Sequence, residues 1–508
     1  MLDYRNALKT KTDLAKLFWI CVGAHLLFWT VIPALTTPNA LTDVIEGYVW
    51  GREWPLGTHK HPPLHAWILQ ILAVLTGRSS WTPFLASQLS VTAAFWAVWQ
   101  TGRRIVGEAG AVLAALLLVG VTYFNVITPE FNPNVLQIGF WALMGQSFHR
   151  AIKEDRDADW LLLGLWGAAG LYTKYSSALM IVTLGFLMLA HPEARKRFAG
   201  RGPWLALLTL LLLFLPHLIW LLDHRFVPLT YTESRFERLS SHTGFIIAPI
   251  LFVLWQMAAC LPAILIYVLA FGPGKKLSRV LSRSFDGMFL SCVTFGPFLL
   301  TLVIAAVFGV KIRNMWGAPF WNFLGLWAIF YFQPKFSLGA LKRYACLWGF
   351  VFIAGLLAVA GKNILEPYKT HKAGRIYFPG RALAEEISAE WQQRMHTPLR
   401  YVIGDIWVAG NIAWYAPGQT DQRPHVLING DYSISPGVTP EDIRKYGGVI
   451  VWCRGDCTHQ DNEDVPGWYW TEFSQEAKMQ PVLAIPQQTG APVNPTRIGW
   501  AILAPEAP

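Results

Sequence analysis

The sequence predicts a polytopic α-helical membrane protein with about eleven transmembrane helices and further interfacial helices, followed by a small C-terminal α/β domain. The 508 residues are 53% hydrophobic and 14% aromatic, and only 15% are charged, whereas soluble globular proteins carry about 25% charged residues. The 25 tryptophans fit the same class, because indole side chains favour the membrane–water interface. The first apolar run has no convincing signal-peptide cleavage site, so we expect it to remain as a helix.

Ten apolar runs support this prediction. A spanning helix needs about 20 predominantly apolar residues. Nine runs of roughly that length carry no charged side chain: 17–36, 81–102, 110–128, 132–148, 204–222, 245–270, 287–309, 314–332 and 344–360. The tenth run, 160–190, contains one charged residue, Lys174, and is long for a single helix. We therefore predict two short helices that meet near Lys174.

The distribution of positive charge predicts the orientation. With a cytoplasmic N-terminus and two helices in 160–190, twenty lysines and arginines fall in cytoplasmic segments and nine in outer loops before residue 361. Cytoplasmic loops carry such an excess, so residues 1–360 are predicted to form the transmembrane domain and residues 361–508 a periplasmic domain of a bacterial inner-membrane protein. The basic clusters are short and lie between apolar runs, which indicates loops and excludes a nucleic-acid groove.

The C-terminal part has the patterns of a soluble domain. Residues 381–394 have helical spacing, with Leu383, Ile387 and Trp391 on one face. Three short β-branched runs bounded by Gly, Pro or Asp are typical of strands: 400–410, 423–430 and 447–456. Helices that alternate with buried strands predict a small α/β domain.

This domain contains two cysteines at C-x3-C spacing, Cys453 and Cys457. In an oxidising periplasm the pair would form a local disulfide. The alternative is a metal site, for which two further ligands are not obvious in the sequence. Both interpretations stay open at the level of the sequence.

The first outer loop has an unusual density of charged residues. Asp43 and Glu46 are three residues apart, which is the spacing that faces one side of a helix. Lys60 and His61 come directly before two prolines, which stiffen the chain. Carboxylates beside cationic side chains suit a reaction that deprotonates a nucleophile while a phosphate departs. We predict Asp43 and Glu46 as catalytic and Lys60 and His61 as substrate-binding; the alternative for Asp43 is a helix cap or a solvated carboxylate.

Three further outer segments carry candidate substrate-binding residues. Glu130 and Asn132 lie in the turn TPEFNPN, where the alternative for Asn132 is a helix cap. Lys174, followed by Tyr175, lies inside an apolar stretch, where a charged side chain indicates a functional site unless it extends to the lipid headgroups. Arg313 lies at the outer end of a helix, and a guanidinium suits bidentate phosphate binding.

Four segments in this order resemble a known family. They are DVIEGYVWGREW…THKHPPLHAW, TPEFNPN, GLYTKYS and NMWGAPFW, and together they resemble bacterial GT-C glycosyltransferases of family 39. That family includes protein O-mannosyltransferases and lipid A aminoarabinose transferases. The resemblance covers about residues 1–340 and is strongest in the first 180. Motifs for nucleotide binding, zinc proteolysis and serine hydrolysis are absent from the sequence.

The resemblance implies a transferase that uses a polyprenyl-phosphate-linked sugar and inverts the configuration at the anomeric carbon. In the family, an acidic residue of the first outer loop acts as the base, and this position matches Asp43. Many members have Asp-Glu at this point. Here Val44 follows Asp43 and the glutamate is displaced to Glu46.

The sequence also differs from the family at the position expected to bind the phosphate of the donor. Aminoarabinose transferases carry Glu-Lys-Pro where this chain has Lys60-His61-Pro62. The cationic role toward the phosphate is therefore expected to pass to Lys60 or His61. The missing acidic residue argues against the same substrates, so we do not expect aminoarabinose transfer.

The predicted partners are a polyprenyl-phosphate-sugar donor, membrane lipids and an acceptor hydroxyl on a lipid or glycan, with lipid A and protein included. No cofactor is predicted, because the cationic side chains named above supply positive charge; the alternative is a divalent cation held by the acidic residues of the outer loops. The competing functions are an O-antigen ligase or polymerase and a lipid-linked sugar flippase or transporter. A transporter would place charges near the bilayer midplane and often shows an internal repeat, whereas here charge gathers at the outer ends of helices.

Overall fold

The computed structural model describes residues 11–235, 242–273, 283–310, 312–457 and 465–506. The chain divides into two compact units. The first, here called the helical unit, comprises Met1–Thr30, Lys60–Pro62 and Phe84–Leu357. The second, the mixed unit, comprises Val31–His59, Pro63–Pro83 and Ala358–Pro508.

Helices dominate the described residues. They are α1 Lys11–Thr36, α2 Thr42–Arg52, α3 Leu64–Thr76, α4 Thr82–Ile105, α5 Gly107–Leu116, α6 Pro133–Glu154, α7 Asp157–Thr173, α8 Ala178–Ala190, α9 Pro192–Arg195, α10 Gly202–Asp223, α11 Val227–Arg235, α12 His242–Phe271, α13 Phe285–Phe308, α14 Leu324–Phe332, α15 Leu338–Thr370, α16 Gly380–Met395, α17 Val408–Tyr415, α18 Pro440–Tyr446 and α19 Gly467–Glu472. The strands are β1 Tyr401–Gly404, β2 His425–Ile428, β3 Gly448–Gly455, β4 Ala477–Met479, β5 Leu483–Ile485 and β6 Thr496–Leu503.

Several helices are long and apolar enough to cross a membrane. Among the described residues, five helical segments meet this criterion by length and composition, within α1, α10, α12, α13 and α15. The helices Tyr175–Ala190 and Pro192–Ala199, which are bent by 91° at the break between them, add a sixth if the pair is counted as one span. Their outward-facing leucines, isoleucines and phenylalanines are exposed, as expected for a surface covered by lipid. The chain is therefore a multi-pass membrane protein, while the number of eleven crossings stays a prediction.

Two segments that were predicted to be single helices, 110–128 and 314–332, are not continuous helices in the structure, so these two predictions are wrong. In 110–128 the helix α5 ends at Leu116 and two 3₁₀ turns follow, Leu117–Gly120 and Thr122–Phe124. The Asn125 amide donates to the carbonyl of Val119, so side-chain hydrogen bonding replaces the regular ladder there. In 314–332 a 3₁₀ turn, Asn314–Gly317, precedes α14, because Pro319 cannot donate a helical hydrogen bond.

The long run 160–190 is broken at the predicted position. Helix α7 ends at Thr173, a 3₁₀ turn covers Tyr175–Ser177, and α8 begins at Ala178. Lys174 lies between them with an extended backbone, φ −165° and ψ 138°. The prediction of two short helices that meet near Lys174 is confirmed.

The mixed unit contains a six-stranded sheet in the order β2-β1-β3-β6-β4, with β5 also paired to β6. Strand β1 is parallel to β2 and β3, whereas β6 is antiparallel to β3, β4 and β5. The predicted strands at 423–430 and 447–456 are confirmed in position. The segment 400–410 is only partly a strand, because β1 ends at Gly404 and α17 begins at Val408.

One side of this sheet is covered by a core that includes Ile403, Leu427, Ile450 and Tyr469. The predicted helix over 381–394 is α16, and its Leu383, Ile387 and Trp391 are buried as expected from their spacing. Cys453 and Cys457 form a disulfide with Cα atoms 5.8 Å apart. The structure therefore selects the disulfide among the two interpretations of this pair.

Within the mixed unit, α2 is enclosed by α3 on one side and α17 on another. Close approach depends on glycines: a Cβ at Gly51 would lie 2.4 Å from the carbonyl oxygen of Ala66, and a Cβ at Gly410 would lie 2.7 Å from Ile45 Cγ2. The ring of Tyr48 stacks on that of Trp414 with 3.5 Å between centroids and 5° between planes. Residues from the two ends of the sequence thus share one core.

Candidate functional site

The predicted site residues divide between the two units. Asp43 and Glu46 lie on α2 of the mixed unit. The others belong to the helical unit and are Lys60, His61, Glu130, Asn132, Lys174, Tyr175 and Arg313.

Lys174 occupies the break between α7 and the following 3₁₀ turn. Its ammonium donates to Asn134 Oδ1 at 2.6 Å and lies 5.5 Å from the centroid of the Trp316 ring. Its backbone N–H still bonds to Gly170 O at 2.9 Å. This hydrogen bond holds the backbone of Lys174 in place. The side chain of Lys174 is only partly buried.

Asn132 is the N-cap of α6. Its Oδ1 accepts from the backbone N–H groups of Asn134 at 2.9 Å and Val135 at 3.2 Å, with Pro133 at the first helical position. Such a cap contributes about 1 kcal/mol. The structure thus gives Asn132 a structural role, and its predicted contact with substrate stays a prediction.

Asn134, which accepts the hydrogen bond from Lys174, was not predicted as a site residue. It lies at the start of α6 and also directs its Nδ2 toward Met315 Sδ at 3.5 Å. The NPN sequence contained a signal for it, because the first asparagine was sufficient for the cap and left the second for another purpose. Asn134 joins α6, Lys174 and the segment before α14 in one polar group of the helical unit.

The buried side chain of Gln137 stabilises the turn between α7 and α8. Gln137 Nε2 donates to Ser177 Oγ at 2.8 Å and Ser176 Oγ at 3.0 Å, and Trp141 Nε1 also donates to Ser177 Oγ at 3.0 Å. Gln137 is 1% exposed. Buried polar groups in a membrane unit need such partners, so this network fixes the turn that presents Lys174.

Tyr175 shares a 2.9 Å hydrogen bond between its hydroxyl and Nε2 of His217 on α10. His217 is completely buried, and the rings lie 5.8 Å apart. The bond connects the turn after Lys174 to α10. An isolated histidine in the run 204–222 was the only sequence signal for this pairing.

Arg313 precedes the 3₁₀ turn Asn314–Gly317 and is exposed. The carbonyl of Asn314 accepts from Tyr123 Oη at 2.7 Å and from Gln256 Nε2 at 3.0 Å. Gln256 also accepts from Trp321 Nε1 at 3.0 Å. An exposed cationic side chain therefore extends from a backbone segment that is held by hydrogen bonds.

The remaining candidates of the helical unit are half-buried: Lys60, His61 and Glu130. Lys60 and His61 belong to this unit although the residues on both sides of Lys60–Pro62 belong to the mixed unit. Among the residues that the structure describes, no group of three or more His, Cys, Asp or Glu side chains is arranged to hold a metal ion.

Asp43 and Glu46 lie one turn apart on α2, as their spacing predicted. The N-cap of this helix is Leu41, and Asp43 is the second helical residue, so the interpretation of Asp43 as the cap is wrong. A carboxylate in the first turn is stabilised by the helix dipole. Asp43 is half-buried and Glu46 is 5% exposed, which places both carboxylates in a partly desolvated environment.

The sequence is similar to membrane glycosyltransferases. A family model described as dolichyl-phosphate-mannose-protein mannosyltransferase matches residues 60–220. The lipopolysaccharide core galacturonosyltransferase RgtA of Rhizobium johnstonii is 22% identical over 476 residues, which is 89% of each chain. The lipid A galacturonosyltransferase RgtD of the same organism is 24% identical over 220 residues, which is 42% of this chain and 45% of that protein.

The fold is similar to that of a protein whose crystal structure is known. The crystal structure of ArnT from Cupriavidus metallidurans bound to undecaprenyl phosphate superposes with a TM-score of 0.64 at 13% identity, over 96% of this chain and 98% of that one. The ArnT-like fold, with its many helices and small C-terminal sheet domain, confirms the predicted fold class.

Proposed function

We propose that the chain is a bacterial glycosyltransferase of the GT-C class and that it transfers a sugar from a polyprenyl-phosphate carrier to a hydroxyl of lipopolysaccharide. The first candidate for the sugar is galacturonic acid, since both relatives described above are galacturonosyltransferases. Lysine–histidine–proline at 60–62, in place of the acidic motif of aminoarabinose transferases, supports a substrate different from theirs.

The observation that carries the proposal is the position of Lys174. A cation at a helix break in an apolar unit, oriented by Asn134 and placed above Trp316, is a suitable ligand for the phosphate of a lipid carrier. The polyprenyl chain would lie along the apolar helices. Lys60, His61 and Arg313 are the other cationic candidates for the phosphate.

The proposed reaction is a single displacement. The acceptor oxygen attacks the anomeric carbon, and its proton moves to the carboxylate of Asp43 as general base. The bond between the anomeric carbon and the phosphate oxygen breaks, and polyprenyl phosphate leaves with the electron pair. Configuration inverts. The cationic side chains stabilise the charge that develops on the departing phosphate, and Glu46 on the same helix face assists Asp43.

We place the reaction on the periplasmic face of the inner membrane, on the basis of the charge distribution of the loops. In the proposed division, residues 1–360 form the catalytic transmembrane domain and residues 361–508 the periplasmic domain. The packing of α2 against α17 supports a role for the C-terminal residues in holding the helix that carries the proposed base.

Envelope glycolipids provide the test. Mass spectrometry would compare a strain that lacks the gene with the same strain expressing wild type, Asp43→Asn or Asp442→Asn at equal levels. Asp442 is a matched control, since it also lies in the first turn of a helix, α18, and is half-buried like Asp43. We expect a hexuronic acid increment on lipopolysaccharide with wild type and Asp442→Asn, and a loss of about 10²–10⁴-fold with Asp43→Asn.

Other outcomes would revise the proposal in specific ways. A different increment would change the sugar. Full product with Asp43→Asn would remove Asp43 as the base. A change in the leaflet of a lipid-linked intermediate, without any change in glycan, would favour a flippase.

A further inference from the structure

An open cavity lies in the helical unit where α4 is followed by α5, and it is called the α4–α5 cleft below. Its volume is about 370 Å³, and it is lined by Gln100, Arg103, Arg104, Gly107 and Glu108. At Gly107 an added Cβ would meet no atom within 4 Å. A single water molecule needs about 10–15 Å³ of cavity volume, so the cleft has room for a phosphodiester and the glycerol attached to it.

Arg103 is exposed and keeps donors for a further acceptor. Its Nε donates to Glu108 Oε2 at 2.8 Å and its Nη1 to Gln100 Oε1 at 3.5 Å. A guanidinium has five N–H donors in a planar fork, so these two bonds leave the others for an anion. Glu108 also accepts from Trp99 Nε1 at 3.0 Å, so both of its carboxylate oxygens are already engaged within the protein.

Arg104 belongs to a series of ion pairs that contains more positive than negative charge. The pairs are Arg104–Glu154 at 2.9 Å, Glu154–Arg156 at 2.8 Å, Arg156–Asp159 at 3.0 Å and Asp159–Arg150 at 2.9 Å. Three arginines thus share two carboxylates. Because Glu154 is divided between two guanidinium groups, an anion in the cleft would still be attracted to Arg104.

The cleft lies at an edge of the membrane-spanning region. The ring of Trp99, one helical turn before Arg103, stacks on that of Phe18 with 4.4 Å between centroids. Phe18 is in the second turn of the apolar segment Asp13–Thr36 of α1, and the neighbouring Trp19 is exposed. Tryptophans at the end of a membrane helix lie at the level of the lipid headgroups, so the cleft is placed at that level.

Helix α6 relates the cleft to the candidate site. Glu154, which pairs with Arg104, is the last residue of α6, and Asn134, which accepts from Lys174, is the second. Twenty residues of helix extend about 30 Å, which is the thickness of the hydrocarbon core of a bilayer. The cleft and Lys174 therefore belong to opposite membrane surfaces. In the orientation proposed above, the cleft is on the cytoplasmic side.

We propose that the α4–α5 cleft binds the phosphodiester headgroup of an anionic phospholipid, with Arg103 and Arg104 as its ligands. Basic pockets at the cytoplasmic side of membrane helices bind such headgroups, and a planar guanidinium matches phosphate oxygens in a bidentate manner. The acyl chains would lie along the exposed side chains of α1, which include Trp19 and Ile20.

The bound headgroup would connect three helices. Both arginines are on α4, and their glutamate partners are on α5 and α6. A ligand that binds the folded chain and not the unfolded chain raises the free energy of unfolding. The lipid is therefore expected to stabilise the protein against heat. This site is separate from the proposed transfer of sugar.

Thermal unfolding of the full chain in a neutral detergent tests the headgroup. Three probes are titrated at constant ionic strength: a short-chain phosphatidylglycerol, the phosphatidylcholine with the same acyl chains, and glycerol 3-phosphate. We expect phosphatidylglycerol to raise the unfolding temperature at a concentration at least about tenfold lower than phosphatidylcholine, because a hydrogen bond to a charged group is equivalent to about tenfold or more in affinity.

Two results with wild type would overturn the proposal. One is the absence of any preference for phosphatidylglycerol over phosphatidylcholine. The other is an effect of glycerol 3-phosphate at the same concentration as phosphatidylglycerol, which would assign the cleft to a soluble phosphate and not to a lipid. None of these measurements involves turnover, so their outcome does not depend on the proposed function.

Three substitutions test the location. Arg103→Gln removes one cation, whereas Gln100→Phe keeps both arginines and places a ring in the cleft. Arg201→Gln is the control, since Arg201 is an exposed arginine that pairs with Asp157 at the start of α7. We expect the preference for phosphatidylglycerol to fall by about tenfold in Arg103→Gln and in Gln100→Phe, and to be unchanged in Arg201→Gln.

The variants can also contradict the proposal. A wild-type preference in Arg103→Gln overturns it, and an equal loss in Arg201→Gln does so too, because it would indicate general attraction between charges. A wild-type preference in Gln100→Phe contradicts binding inside the cleft. If Arg103→Gln does not unfold cooperatively, the result with Gln100→Phe decides.

Discussion

Gly51→Ala tests whether the position of α2 controls catalysis. Gly51 lies where α2 crosses α3, and an added Cβ would be 2.4 Å from the carbonyl oxygen of Ala66, against about 3.4 Å for ordinary contact. The obstacle is backbone, which cannot rotate away. The two helices therefore have to separate by about 1 Å.

The expected effect on activity exceeds the effect on stability. Overpacking of this kind costs about 1–3 kcal/mol, and the higher helix propensity of alanine offsets up to about 1 kcal/mol of it. A displacement of 1 Å at a catalytic group costs about 10²-fold in rate. Because Asp43 is on the same helix, we expect kcat to fall between tenfold and a hundredfold, with a folded protein.

The assay is turnover of the purified full chain with a polyprenyl-phosphate sugar, together with its thermal unfolding. Gly361→Ala is the control, since this glycine is inside α15 and a Cβ there meets nothing within 4 Å. Gly361→Ala should retain wild-type kcat. If Gly51→Ala unfolds like wild type and retains kcat within twofold, the placement of α2 does not determine the rate, and the reasoning that connects its packing to Asp43 is refuted.

Three further perturbations have expected outcomes. Lys174→Gln should raise KM for the donor by about tenfold or more, since a charged hydrogen bond contributes about 1.5–3 kcal/mol; an unchanged KM in a donor titration contradicts a phosphate contact. Trp414→Ala, which removes the ring stacked on Tyr48, should lower stability by about 3–5 kcal/mol, whereas the same change at Trp470, which is 58% exposed, should alter thermal unfolding little. Cys453→Ser should cost about 2 kcal/mol for so short a disulfide loop; an unchanged unfolding temperature under oxidising conditions argues against the bond.

The sequence predicted the helices well where the signal was local. Apolar runs such as 204–222 became helices with nearly the expected ends, and the single charge at Lys174 located a break correctly. The prediction of a single continuous helix failed at 110–128 and at 314–332. An apolar composition shows that a segment is long enough to span a membrane, but it does not show whether the helical backbone hydrogen bonds continue along the whole segment. Side-chain hydrogen bonds and a proline interrupt the ladder there.

The sequence indicated which residues belong to the candidate site, but it did not indicate which other residues they contact. Charge in an apolar chain indicated Lys174, and helical spacing indicated the face shared by Asp43 and Glu46. The partners came from distant positions: Asn134 is 40 residues from Lys174, and His217 is 42 residues from Tyr175. Such pairings depend on the tertiary fold, and a single sequence gives no periodicity that reports them.

The mixed unit has a consequence for synthesis of the protein. Asn39, just before α2, donates to Asn411 Oδ1 at 3.0 Å, and the two residues are 372 positions apart. At about 5–20 residues per second, the ribosome delivers α17 some 20–75 s after α2 has been made. During that interval α2 lacks α17, one of the two helices that enclose it. The transferase is therefore expected to become competent only when its last quarter has been translated and folded, and a chain truncated before residue 400 should be inserted in the membrane and inactive.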